Sequence, residues 1–333
     1  MSLSEFDIIA RYFAQDGLAA VPGRDAGVVL GIGDDCALLS LPATEELALS
    51  MDVLVEGVHF PPKAPADEVA RRALAVNLSD LAAMGATPVG FMLGLTLPAA
   101  DPAWLEAFAA GLRESAQTYG CPLLGGNLTR GPLQMAIQVQ GRVPAGCALR
   151  RDGARPGDLV YVSGALGAAG LALRQVLGTL QPDAALAAQL HQAYYRPQPR
   201  LGLGRALLGR ASAAQDISDG LLADLGHLVR ASGVGARLHA PRIPLAPPLL
   251  ACLEPEEALM LALGAGEDYE LVFTLPPLCA SEVALLSEAA GVPLSCIGEV
   301  VPGAGVVVLD GAGRELHPPR QGFEHFTHAG EAP

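Results

Sequence analysis

A chain of 333 residues, 51% of them hydrophobic, has ample material for two ordinary domains or one large one. Its formal net charge of -14, with no dense basic stretch, argues against a surface that tracks nucleic-acid phosphates. No run of about 18 uncharged apolar residues reads as a membrane span. The six cysteines (Cys36, Cys121, Cys147, Cys252, Cys279, Cys296) form no CxxC pair and no zinc spacing, so reduced thiols in a cytoplasmic protein are expected.

Ile8, Ile9 and Phe13 predict a short first helix stopped near Gly17, and Val28–Leu30 a strand running into Gly31-Ile32-Gly33-Asp34-Asp35. Residues 47–55 alternate as a strand, with Leu47, Leu49, Met51 and Val53 on one side and Ser50 and Asp52 on the other. Met51 is expected in the core. Residues 67–84 carry a helical stripe of Leu74, Leu78 and Leu81, stopped by Gly85. Asp101-Pro102 opens a helix through Trp104 and Phe108 to about Gly120. Residues 134–140 (QMAIQVQ) read as a half-buried strand with Met135, Ile137 and Val139 inward.

The Arg-, Gly- and Pro-rich stretch 142–157 predicts a boundary between domains at 1–145 and 150–333. Beyond it come a strand at 159–163, Ala-rich helices to about 208, a helix at 219–231, a strand at 269–274, a helix at 281–290 and strands at 294–299 and 305–309. Strands and helices mix in both halves, which gives an α/β fold with α+β-type mixed sheets.

Five oxygen-rich clusters stand at turns and strand ends: Asp34 and Asp35; Ser50 and Asp52; Asn77, Ser79 and Asp80; Asp216, Ser218 and Asp219; and Glu267 and Asp268 after Gly264-Ala265-Gly266. Each has an ordinary reading as a turn, a solvent-facing strand side or a helix cap. Ser218 or Asp219, for instance, suits a cap on the helix that follows. Together, without a His/Cys ligand set, they favour a hard cation such as magnesium, and glycine turns loaded with acid suit polyphosphate. GxxxxGK[ST], HRD, DFG, GxGxxG, HExxH and GxSxG motifs are absent, which removes the P-loop, protein-kinase, dinucleotide, zincin and hydrolase-elbow readings.

The stretches GIGDDCALL (31–39), SMDVLVEGVHF (50–60), ALAVNLSDLAAMGATP (73–88), LLGGNLTRGP (123–132), RDGARPGDLVYVSG (151–164), DISDGLLADLGH (216–227) and GAGEDYELVF (264–273) resemble the thiamine-monophosphate kinases. That family lies within the ATP-binding superfamily of aminoimidazole ribonucleotide synthetase. The resemblance spans nearly the whole chain. It implies an N-terminal domain that binds ATP and magnesium and forms a homodimer, and a C-terminal α/β domain that completes the nucleotide and substrate site. It further implies phosphorylation of thiamine monophosphate by direct in-line transfer from ATP, with no nucleic-acid or membrane partner.

Carried over residue by residue, Asp35, Ser50, Asp52, Asp80, Asp216 and Asp219 would hold magnesium, and catalysis would run through the metal on Asp35, Asp52, Asp80 and Asp216. Gly126, Asn127, Arg151 and Ser218 would contact ATP. His59, Glu267 and Phe323 would contact thiamine monophosphate. Two positions depart from the family pattern: Asn127 stands where Asp is usual after the paired glycines, and Met51 where Thr is usual. Asn127 keeps an oxygen for the metal but no charge, and Met51 could offer only its backbone. An enzyme of the same superfamily with another acceptor, or a catalytically impaired nucleotide-binding homologue, is the alternative.

Overall fold

The computed structural model describes residues 4–318 and residue 322. The chain forms two units, one of Met1–Ala148 with Tyr195–Arg205 and one of Leu149–Tyr194 with Ala206–Pro333.

In the first unit, Ser4 and Asp7 cap α1 (Glu5–Ile8) reciprocally: Asp7 N–H donates to Ser4 Oγ, and Ser4 N–H to Asp7 Oδ2. A π turn over Ile9–Phe13 continues it. Strands β1 (Val28–Leu30) and β2 (Leu38–Leu39) make an antiparallel ribbon whose loop carries Asp34 and Asp35. Then follow β3 (Glu45–Val55), α2 (Ala66–Ala83), β4 (Thr87–Leu97), α3 (Pro102–Tyr119), β5 (Leu123–Arg130) and β6 (Gln134–Pro144). Asp101 caps α3 by accepting from Ala103 N–H at 3.0 Å, Pro102 takes the first turn, and Gly120, left-handed at φ 61°, ends the helix.

The four-stranded sheet has the order β3-β6-β4-β5, antiparallel except for β4 and β5, which α3 joins in parallel. Helix α2 packs on β3, β6 and β4, and α3 packs on α2. Leu74, Leu78 and Leu81 of α2 and Met135, Ile137 and Val139 of β6 are buried. Each such side chain removes enough apolar surface from water to contribute about 2 kcal/mol.

On β3 the alternation holds but the covered side is the other one. Ser50 and Asp52 turn toward α2, while Leu47, Leu49, Met51 and Val53 lie on the open face. Met51 is 59% exposed, so it is not the core residue expected. The reason is tertiary: α2 brings Asn77 and Asp80 to this strand, and their partners must face them.

The segment Tyr195–Arg205 belongs to the first unit through specific contacts. Arg196 grips Glu68 of α2 with two nitrogens, Nη2 to Oε1 at 2.6 Å and Nε to Oε2 at 2.9 Å. A Cβ at Gly204 would stand 2.0 Å from the Ala82 carbonyl oxygen, so only glycine permits this approach.

The second unit contains β7 (Leu159–Ser163), α4 (Ala168–Val176), α5 (Ala184–Tyr195) and, after α6 (Leu201–Leu207), β8 (Ala213–Asp216), α7 (Leu221–Ser232), β9 (Gly235–His239), α8 (Pro247–Cys252) and α9 (Pro255–Gly264). It ends with β10 (Leu271–Leu275), α10 (Val283–Ala290), β11 (Leu294–Val301), β12 (Gly305–Leu309) and β13 (Glu315–Leu316). Its seven strands run β13-β12-β9-β11-β7-β10-β8, all antiparallel except β9 beside β12. β10 is buried along its whole length, which is why LVFTL reads as an unbroken apolar run. No helix among the described residues is long and apolar enough to cross a membrane. All six cysteines are free thiols.

Candidate functional site

In the first unit two polar clusters form on the sheet. Between β3 and α2, Ser50 Oγ donates to Asp80 Oδ2 at 2.5 Å. Asp52 N–H donates to Asn77 Oδ1 at 2.9 Å, and Asn77 Nδ2 returns to the Ala73 carbonyl at 2.9 Å. Asn77 and Asp80 are three residues apart, so one face of α2 presents both to the strand. Asn77 is fully buried and its amide is used in holding β3. Ser50, Asp52 and Asp80 are only partly covered.

The second cluster surrounds a cavity of about 530 Å³ lined by the β1–β2 loop, the residues of α1 and its π turn, and β5. Asp34, Asp35, Gly126 and Asn127 all border it. Ala20, Val28 and Leu124 form a small core with Ala37, Leu39 and Met92 against it, which pins the ribbon to β4 and β5. Asp34 Oδ1 accepts Asp35 N–H at 2.8 Å, and Gly33 at φ 124° makes the turn that exposes both carboxylates. A Cβ at Gly126 would lie 2.0 Å from the Leu93 carbonyl oxygen, so the paired glycines allow β5 to close on β4 beside the cavity.

Pairing puts Asp52, Ile137, Leu93 and Gly126 in one row across the sheet and Val53, Ala136, Gly94 and Asn127 in the next. Successive rows face opposite sides, so the exposed Asn127 side chain stands on the face away from Asp52. Met51 pairs with Gln138 within the β3–β6 ladder. His59 sits in the turn after β3, where its own N–H donates to the Val55 carbonyl at 2.9 Å and its Nδ1 accepts Val55 N–H at 3.1 Å. That acceptance leaves the ring proton of the neutral imidazole on Nε2.

In the second unit the loops at 216–220 and 264–270 are laced together. Ile217 N–H donates to the Glu270 carbonyl at 2.8 Å, Tyr269 N–H to the Ile217 carbonyl at 2.9 Å, and Glu267 N–H to the Ser218 carbonyl at 2.8 Å. A Cβ at Gly266 would meet Ser218 O at 2.5 Å, and one at Gly220 would meet Gly264 C at 3.0 Å. Asp216 is buried at the end of β8, while Ser218, Asp219 and Glu267 are half-buried. Glu267 (φ 67°) and Tyr269 (φ 50°) are left-handed without being glycine, which costs about 1 kcal/mol or more apiece.

Neither Ser218 nor Asp219 caps α7, contrary to expectation; Gly220 is the N-cap and supplies no side chain. Asp224 inside the helix does the work instead. Its Oδ2 accepts the N–H groups of Ser218, Asp219 and Gly220 at 3.0, 3.0 and 3.1 Å, and its Oδ1 accepts Gln215 Nε2 at 2.8 Å. Burial pushes its carboxyl up to about 6, against the opposing pull of those N–H bonds. These N–H groups are thereby withdrawn from any phosphate, so the loop offers ligands through its side chains. Asp268 likewise accepts Gly167 N–H at 2.8 Å at the start of α4, and burial pushes it up to about 7. Glu270 accepts Ser163 Oγ at 2.5 Å.

Arg151 is exposed and its carbonyl accepts Ser232 Oγ at 2.7 Å, while neighbouring Arg150 is committed to Asp152 at 2.6 Å. Phe323 lies outside the described residues. The structure therefore brings together Ser50, Asp52 and Asp80; Asp35, Gly126 and Asn127; and Asp216, Ser218, Asp219 and Glu267. Asp224 escaped the sequence reading as a site residue, although an acid in the first turn of a predicted helix is a recognisable signal for bound N–H groups.

Residues 33–143 match the family described as AIR synthase related protein, N-terminal domain, and residues 155–311 the corresponding C-terminal domain. The thiamine-monophosphate kinase of Escherichia coli (strain K12) is 46% identical over 330 residues, covering 98% of this chain and 99% of that protein. The crystal structure of thiamine-monophosphate kinase from Stenotrophomonas maltophilia K279a superposes with a TM-score of 0.81 at 42% identity, over 92% of this chain and 97% of that one. AaThiL, solved in complex with AMPPCP and TMP, superposes with a TM-score of 0.75 at 32% identity, over 89% and 92% of the two chains. On this near end-to-end similarity, the chain belongs to the thiamine-monophosphate kinase family.

Proposed function

We infer that the chain phosphorylates thiamine monophosphate to thiamine diphosphate at the expense of ATP, by direct in-line transfer. Membership of the kinase family supports the reaction, and the paired Ser50 and Asp80 oxygens are the observation that carries the mechanism. Their donor set fits magnesium: hydroxyl and carboxylate oxygens stand together, with Asp52 on the same side of β3. Among the described residues no three His, Cys, Asp or Glu side chains gather into a shell. The protein would thus supply a partial set that nucleotide phosphates complete, as small hard cations favour. When bound, magnesium would neutralise charge on the transferring phosphoryl group.

The remaining work falls to the chain. The terminal phosphate oxygen of the acceptor is already ionised near neutrality, so no strong general base is needed. Asp35, Ser50, Asp52, Asp80, Asp216 and Asp219 would hold the cations, Asn127 would give a neutral oxygen and Met51 at most its carbonyl. Gly126, Arg151 and Ser218 contact ATP; His59, Glu267 and Phe323 contact thiamine monophosphate. Fixed side chains on rigid strands and helices act here by position.

A homodimer through the N-terminal unit accompanies this reading. Leu47, Leu49, Met51 and Val53 expose a continuous apolar stripe on the edge strand β3, which is costly for a lone chain in water. The cytoplasmic location belongs to the same reading, carried by the scattered cysteines without CxxC or zinc spacing. The test is product formation by the purified chain with magnesium present or withheld. Binding of ATP without turnover would favour the impaired homologue instead.

A further inference from the structure

Asp268 lies between two left-handed residues, Glu267 and Tyr269, in a loop tied by three backbone hydrogen bonds to residues 217 and 218. Its own carboxylate turns the other way and accepts N–H groups at the start of α4: Gly167 at 2.8 Å and, at the limit of reach, Ala169 at 3.5 Å. Glu270 also turns inward, to Ser163, and the Glu270 carboxylate packs over Gly164, where a Cβ would fall 2.0 Å from its Oε1. Asp268 and Glu270 anchor the loop to the β7–α4 connection, while the half-buried Glu267 is held through its backbone to Ser218.

Both carboxylate oxygens face N–H groups, so an amide in the same place could accept only one of them and would set its own NH2 against the other. Backbone strain on both sides of one anchor is a pattern found where geometry serves a site. We propose that Asp268 is a positioning residue, whose bonds to the first turn of α4 hold the 264–270 loop in the strained form that aims Glu267 at thiamine monophosphate. This rests on Glu267 being a contact for that substrate.

The experiment compares Asp268→Asn, Glu267→Gln and the double variant, reading kcat, both KM values and the unfolding midpoint with magnesium-ATP and thiamine monophosphate. Asp268→Asn is expected to raise the KM for thiamine monophosphate about tenfold and leave that for ATP within about twofold. The double variant should be no worse than Glu267→Gln alone, because one residue acts through the other. Losses that multiply in the double variant, or a rise in both KM values together with a loss of stability, would assign Asp268 to folding and overturn the proposal. A normal Asp268→Asn beside an impaired Glu267→Gln overturns the proposal alone, whereas a normal Glu267→Gln removes the substrate contact on which it stands. If Asp268→Asn does not fold, Asp268→Ser, smaller and uncharged, is put to the same comparison.

Discussion

Ser50 Oγ lies 2.5 Å from Asp80 Oδ2, so the edge strand β3 and the helix α2 meet in a hydrogen bond between two oxygens suited to a hard cation. One residue pair thus joins the architecture of the first unit to its chemistry. Asn77, a turn away, holds the Asp52 backbone and leaves the Asp52 side chain on the same side of the strand.

Removing that carboxylate tests the assignment. Asp80→Ala is expected to lower kcat by about a hundredfold or more, with Ser50→Ala much milder because a hydroxyl contributes less charge. Steady-state kinetics on variants shown by circular dichroism to be folded decide it. Near-normal turnover in Asp80→Ala would contradict the role given to this cluster.

Gly266 offers a backbone test. Alanine there must tolerate φ 69° and place its Cβ 2.5 Å from Ser218 O. A loss of about 1–3 kcal/mol in urea unfolding is expected, with reduced activity, since the two laced loops must part. An unchanged midpoint would show that the loops are less rigidly joined than the hydrogen bonds indicate.

The raised Asp268 carboxyl predicts a pH dependence of stability. Its proton is held to about pH 7 in the fold, against an ordinary value of 3.8, so between those values the folded chain binds more protons than the unfolded one. This contribution is fully present below about pH 4 and is lost as the pH rises through about 7, by up to about 4 kcal/mol. Asp268→Asn removes the titration. The stability difference between wild type and variant should therefore shift against the wild type from pH 5 to pH 8, measured by urea unfolding. A flat difference would show that the charge is compensated.

Much of this was legible in the sequence, and the exceptions have physical causes. The stripe Leu74, Leu78, Leu81 and the Asp101-Pro102 start located α2 and α3, because periodicity and capping are local. β4 is absent from the sequence reading: Thr87–Leu97 opens with a proline at its second position and holds two glycines, both poor strand signals, although buried and half-buried residues alternate from Phe91 to Leu97. The face of β3 that is covered depends on where α2 lies, which no period-two pattern records, and Met51 was misplaced for that reason. The acid clusters announced themselves by glycine and aspartate at strand ends. The service of Asp224 to three N–H groups appears only when helix and loop are seen together.

The exposed stripe on β3 predicts its own disruption. Met51→Glu or Leu49→Arg should leave a folded chain that elutes as a monomer in light-scattering chromatography, because a charge there cannot be buried against a second copy without a partner. Unchanged elution as a dimer would place the interface elsewhere.

The most direct measurement is formation of thiamine diphosphate from thiamine monophosphate and ATP by the purified chain, with magnesium present and with it chelated. Product that depends on magnesium is the expected result, and it would show that Asn127 suffices where the family usually has aspartate. No product from a folded sample that binds ATP would contradict the account and point to an impaired homologue or to another acceptor.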